Sequence, residues 1–137
     1  MPGATAPGIG AIYPLAHRLG FETAGIVSSQ LRQVDMLPSP GVEHVLVIED
    51  ARWGGIDPAT GALSPTSEAM VGASDDIVCI GGGPVAGDEL MAAQSRGIPV
   101  QFIPADCHHA TAIEAARRAG QPTPTDFSGA AHARFHA

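Results

Sequence analysis

Along this chain apolar residues alternate between helical spacing and short continuous runs, and the switches predict the elements. Residues 11 to 19 carry apolar positions at helical spacing that stop at Gly20, a helix C-terminal glycine, and they follow a glycine-rich turn over residues 3 to 10. Residues 22 to 28 read as a strand, and a loop rich in Pro and Ser leads to a second strand, Glu43 to Glu49. Its Val45-Leu46-Val47-Ile48 run predicts burial on both faces. Residues 50 to 63 form a long irregular connection. Ser64-Pro65 then reads as a helix N-cap followed by proline in the first turn, opening a helix to about Ala73. Asp76 to Ile80 is the third strand, Val85 to Arg96 a helix ended by Gly97, Pro99 to Ile103 the fourth strand and Ala110 to Ala119 the last helix. The Pro-rich segment 121 to 137 reads as irregular.

Strands alternating with helices at this spacing predict an α/β fold: a small Rossmann-like three-layer parallel sheet flanked by helices, as one domain over residues 1 to 137. Ligands of such sheets sit at the C-terminal ends of the strands. The first glycine turn has no strand before it, because Met1 to Ala6 is short and rich in Pro, Gly and Ala. Either the domain lacks that strand, or the chain starts late relative to a longer ancestor. A sheet short of a strand leaves an edge to cover, which predicts a homodimer or higher homo-oligomer.

Composition narrows the partners. Seven basic against fourteen acidic residues give a net charge of −7, which repels nucleic acid and anionic membrane surfaces. All seven basic residues are Arg, so a P-loop lysine, a Schiff-base lysine and a lysine general base are excluded. Cys79 and Cys107 make neither a disulfide framework nor a C-x-x-C motif, and a reducing cytoplasm is the expected compartment. The N-terminus lacks a basic segment followed by an apolar core, and no run of about 18 apolar residues occurs, so neither a signal peptide nor a membrane span is expected.

The densest chemical signal is the run Ile77-Val78-Cys79-Ile80 entering Gly81-Gly82-Gly83, with Pro84 and Val85 opening a helix at once. Such a turn gathers backbone N–H groups and a helix N-terminus where an anion can sit. A tight turn alone would also use glycine. Asp88 and Glu89 are placed in the first helical turn, where they complement the helix dipole, and Glu89 is the candidate catalytic group or ribose-hydroxyl acceptor. Gly8 and Gly10 form a second, weaker phosphate turn. Ser28, with Ser29 beside it, stands at a strand end, where it can meet a ligand or cap the next segment. Thr66, with Ser64 and Ser67, lies at a helix N-terminus, as a capping group or a phosphate seat. Cys107-His108-His109 beside Asp106 has no spaced partner set, so no metal site is expected, and no cofactor can be named. Trp53 suits a loop anchor or contact residue better than a base-stacking platform, and His132 and His136 read as surface.

On these residues the chain resembles the Lonely Guy and lysine-decarboxylase-like group of the Rossmann-like nucleotide-sensing superfamily. The signature of that group, Pro-Gly-Gly-x-Gly-Thr-x-x-Glu after an apolar strand, corresponds here to Gly81, Gly82, Gly83, Pro84, Val85, Ala86, Gly87, Asp88 and Glu89. The two central glycines and the closing Glu coincide. The upstream turn, helix and strand from Gly8 to Val27 follow the same order, so the resemblance spans roughly residues 3 to 104.

The resemblance implies a ligand bearing a ribose phosphate. In hydrolytic members an Arg in the helix before the glycine strand works with the motif Glu, and helix 65 to 73 here contains no Arg. Binding of a nucleotide or ribose phosphate is therefore the leading expectation, as in a sensor, carrier or accessory protein. The alternative is hydrolysis of an N-glycosidic bond in a nucleoside or nucleoside monophosphate, with Glu89 catalytic and Arg52 or a neighbouring subunit's Arg holding the phosphate.

Overall fold

The computed structural model describes residues 8–34, 37–104, 109–124 and 129–135. The chain is mixed α/β and divides into two compact units, Met1–Asp75 and Asp76–Ala137.

In the first unit a 3-10 turn, Gly8–Ala11, runs into helix α1 (Ile12–Arg18). Strand β1 (Ala24–Ser28) pairs in parallel with β2 (His44–Ile48), with Ala24 opposite His44 and Ser28 opposite Ile48. The loop expected after β1 begins with a second 3-10 turn, Ser29–Gln33, whose N-cap is Ser28: its hydroxyl accepts the Gln30 N–H at 3.1 Å. Helix α2 (Pro65–Gly72) packs on both strands, and Val27 and Val71 are the fully buried aliphatic side chains of this unit. The expectation that β2 is buried on both faces is not met. Val45, Leu46 and Val47 are 38–47% exposed, because β2 pairs with β1 alone among the described strands. The connection 50–63 is held by an isolated antiparallel bridge between Ile56 and Leu63, and by Ser67, whose hydroxyl accepts the Gly55 N–H at 2.7 Å.

The second unit is built on a βαβ crossover. Strand β3 (Ile77–Ile80) leads through Gly81–Gly83 into α3 (Pro84–Ser95) and back to β4 (Val100–Ile103), parallel to β3, with Ile77 opposite Val100. A parallel pair requires such a crossover, since a tight hairpin can only join antiparallel strands. Helix α4 (His109–Arg118) follows. The segment expected to be irregular beyond Gly120 contains a further helix, α5 (Gly129–Phe135), which packs on α3. Leu90, Ala93 and Ala131 are buried in this unit.

The predicted helix stops at Gly20 and Gly97 hold, and Gly120 ends α4 in the same way. Gly20, Gly97 and Gly120 all have positive φ, and the next residue's N–H returns to a carbonyl in the last turn, as Ile98 does to Ala93 at 3.0 Å. Among the described residues no helix is long and apolar enough to cross a membrane.

Candidate functional site

Sequence-predicted site residues fall at the glycine turn of the second unit and, in the first unit, at the C-terminal edge of β1 and β2 and at the separate 3-10 turn of Gly8 and Gly10. In the second unit the ladder between β3 and β4 extends by one bond, Gly81 N–H to Ile103 O at 2.9 Å, before the chain turns. Gly81 and Gly82 take φ of 63° and 121°, values that L side chains rarely adopt. Gly83 is extended, with φ −97° and ψ −160°, and is the N-cap of α3, with Pro84 in the first turn. It carries no side chain to cap the helix, the first turn holds no acidic residue, and a Cβ added to Gly83 would meet nothing within 4 Å. The amide groups at the start of α3, those of Val85 and Ala86, thus have no capping side chain at Gly83 and no acidic residue in their own turn.

Gly82 has a different task. Its carbonyl accepts the Ala131 N–H of α5 at 3.3 Å, and an added Cβ would lie 2.7 Å from Ala86 Cβ and 3.4 Å from Ala131 Cβ. Gly87 likewise makes room for Arg134, whose Cδ would sit 2.8 Å from an added Cβ. Arg134 forms an ion pair with Asp88. Phe135 and His132 pack on Phe102 of β4, with ring centroids 5.4 and 5.6 Å away. His132, expected at the surface, is therefore part of the α5 seat, which short-range pattern in the sequence does not reveal.

Asp88 and Glu89 are not in the first turn of α3. With Gly83 as N-cap they fall in the second turn, and their expected complement to the helix dipole is weaker there. Glu89 lies near Cys79. Burial, followed by the charge of Glu89, pushes the Cys79 thiol up to about 11, so it stays protonated at neutral pH and donates to the Gly81 carbonyl.

In the first unit the C-terminal edge of β1 and β2 borders a cavity of about 590 Å³, open to solvent and lined by polar side chains that include Gln33, Glu49, Asp50, Arg52, Asp57 and Ser64. Asp50, which follows β2, organises its floor. One carboxylate oxygen accepts the Arg52 N–H at 2.8 Å and the other accepts the Thr66 N–H at the start of α2 at 2.9 Å. Burial alone would raise the Asp50 pKa; these amide bonds and the nearby hydroxyls of Thr66 and Ser64 outweigh it and hold the carboxyl below its ordinary range.

A charged acceptor thus caps α2 in place of its N-cap residue Ser64, whose hydroxyl makes no capping bond. The hydroxyls of Ser64 and Thr66 are buried near that carboxylate without forming a well-aligned hydrogen bond.

Ser28 and Thr66 both converge on this floor, but neither is presented to a ligand. The Ser28 hydroxyl is buried and donates to the Arg52 carbonyl at 2.5 Å. Thr66 is likewise buried behind Asp50. Gly8 and Gly10 form a 3-10 turn, and the Gly10 carbonyl is taken by the Ser39 hydroxyl at 2.6 Å. Sequence reasoning missed Asp50. Its signal was available: a carboxylate directly after an apolar strand stands at the ligand edge of a parallel pair. Among the described residues no group of three or more His, Cys, Asp or Glu side chains is placed to hold a metal ion, and Cys107 and His108 lie outside the described residues.

These features define a mixed α/β protein with two parallel strand pairs, one with a polar cavity at its C-terminal edge and one with an uncapped helix N-terminus after a glycine turn. No family model, curated protein or solved structure matches the chain.

Proposed function

We propose that this protein binds a nucleotide or ribose-phosphate ligand, with the phosphate on the Gly81–Gly83 turn and the first turn of α3. The observation that carries the reading is the contrast between the two helix N-termini. That of α2 is neutralised internally by Asp50, whereas that of α3 follows a three-glycine turn, has no side-chain cap and has no acid in its first turn. Free amide groups and the helix dipole together favour a phosphate there. A role as sensor, carrier or accessory protein fits this chemistry.

The same reading carries the resemblance to the Lonely Guy and lysine-decarboxylase-like group, and with it a Rossmann-like three-layer architecture, self-association and a reducing compartment. Support for the resemblance is limited to the strand, glycine turn and helix at 77–95. N-glycosidic hydrolysis is the weaker reading. The helix before the glycine strand, Pro65–Gly72, carries no Arg to work with Glu89, and Arg134, which α5 brings to α3, is paired with Asp88.

The test is NMR titration of the full chain with ribose 5-phosphate and with nucleoside mono-, di- and triphosphates, each mixture then assayed for free base. Shifts at the amides of 81–87 without released base are expected. Released base that disappears in Glu89→Ala would establish the hydrolase instead, and unmoved amides at 81–87 with every ligand would refute phosphate binding.

A further inference from the structure

The cavity beside β1 and β2 holds a set of charges that the glycine turn does not use. Most of its wall is already satisfied: Glu49 takes Arg32 at 2.6 Å, Asp50 takes two amides, and one oxygen of Asp57 takes the Ala59 N–H at 2.9 Å. Three wall groups are not. Arg52 makes no side-chain hydrogen bond among the described residues; its Nε lies 3.8 Å from Asp57, too far for one. Gln33 lines the cavity, and among the described residues its carboxamide makes no hydrogen bond. Ser64 is 2% exposed and lines the cavity, and its hydroxyl lies beside the Asp50 carboxylate without a well-aligned hydrogen bond.

We infer that this cavity is a second small-molecule site, independent of the phosphate reading above, and that its ligand is a zwitterion of the α-amino-acid type. The ligand's carboxylate lies on the Arg52 guanidinium and its ammonium group on the unused oxygen of Asp57.

The chemistry selects this class. A guanidinium with its donors unused presents a fork suited to a carboxylate. Arg52 and Asp57 form a loose pair of opposite charges side by side, and an α-amino acid carries the complementary pair across a single carbon. A phosphate dianion fits poorly, because Glu49, Asp50 and Asp57 surround the lone Arg52 on the wall. A simple amine would leave Arg52 without a partner. An apolar ligand finds only Ala51 and Pro65. Ser64 and Gln33 add a hydroxyl and a carboxamide that either accept from the ammonium group or donate to the carboxylate.

The experiment is NMR titration of the full chain with the twenty L-amino acids, with ethylamine and alaninamide as comparators lacking the carboxylate, and with inorganic phosphate. At least one amino acid is expected to shift the amides of 29–33, 49–57 and 64–66, and the comparators to bind at least tenfold more weakly. Arg52→Gln should abolish the shifts and Asp57→Asn should weaken binding at least tenfold, both with otherwise unchanged spectra since these side chains are substantially exposed. Arg52→Lys, which keeps the charge and loses the fork, should retain part of the affinity. The inference is overturned if no amino acid moves these amides, if ethylamine or phosphate binds there as well as any amino acid, or if Arg52→Gln binds unchanged. None of these outcomes bears on the glycine turn, whose amides at 81–87 are read separately.

Discussion

Replacing Gly83 with Asp separates the folding role of the glycine turn from its proposed binding role. Gly83 has extended backbone angles that Asp adopts freely, and an added Cβ meets nothing within 4 Å. An Asp at this N-cap accepts one of the unused amide bonds of α3, which improves stability by a few tenths of a kcal/mol over Gly. The same carboxylate sits about 6 Å from a phosphate bound on the turn, where repulsion amounts to roughly 3 kcal/mol per phosphate charge at an effective dielectric of about 20. Physiological salt removes about half of that. One lost amide bond costs a further 1 kcal/mol or so.

Affinity should therefore fall at least about 50-fold, since 1.4 kcal/mol is about tenfold. Gly83→Asn takes the same amide without the charge, and its loss should stay near fivefold, about 1 kcal/mol. Calorimetric titration with the tightest nucleotide found, alongside thermal unfolding, reads both effects. Equal affinity in wild type and Gly83→Asp, or equal losses for Asp and Asn, would show that the α3 N-terminus does not hold the phosphate.

The other expectations concern the supporting structure. Gly82→Ala places a side chain at φ 121° and 2.7 Å from Ala86, so it should cost about 1–3 kcal/mol and expose residues 119–135 to proteolysis by unseating α5; unchanged denaturation and cleavage would refute the packing argument. Asp50→Asn keeps one carbonyl acceptor for two amides, and a loss of about 1–3 kcal/mol in urea unfolding is expected. Because the folded-state pKa of Asp50 is lowered, its contribution is complete above the ordinary carboxylate value of about 3.9 and is lost as pH falls through the lowered one. The variant should accordingly lose less stability than wild type over that acidic range. Cys79, with its pKa near 11, should be about one part in a thousand thiolate at pH 8. In a Cys107→Ser variant, which leaves Cys79 as the only thiol, Ellman's reagent should thus label far more slowly than a free thiol, and rapid labelling at pH 8 would contradict its burial.

Much of the element order was legible because it rests on short-range chemistry. The stops at Gly20 and Gly97, the prolines opening α2 and α3, and the apolar runs of β1 to β4 each report a local backbone preference, and the structure places elements at all of them. Where local pattern was ambiguous the reading slipped. The Val45-Leu46-Val47 run has the composition of a strand buried on both faces, but exposure depends on what covers it. The 129–135 stretch is short for a helix and gains its support from α3.

The alternation of strands and helices, the turn at Gly81–Gly83 and the acidic, lysine-free chemistry follow from residue type and spacing along the chain. How those groups are used depends on packing between distant parts of the chain. That packing set the Asp50 carboxylate on the amides of α2, buried Ser28 and Thr66 behind it, left Gly83 open at the head of α3, and gave Gly82 and Gly87 to α5. These are pairings between residues distant in the chain, and which donor meets which acceptor depends on packing in space, which no local pattern encodes.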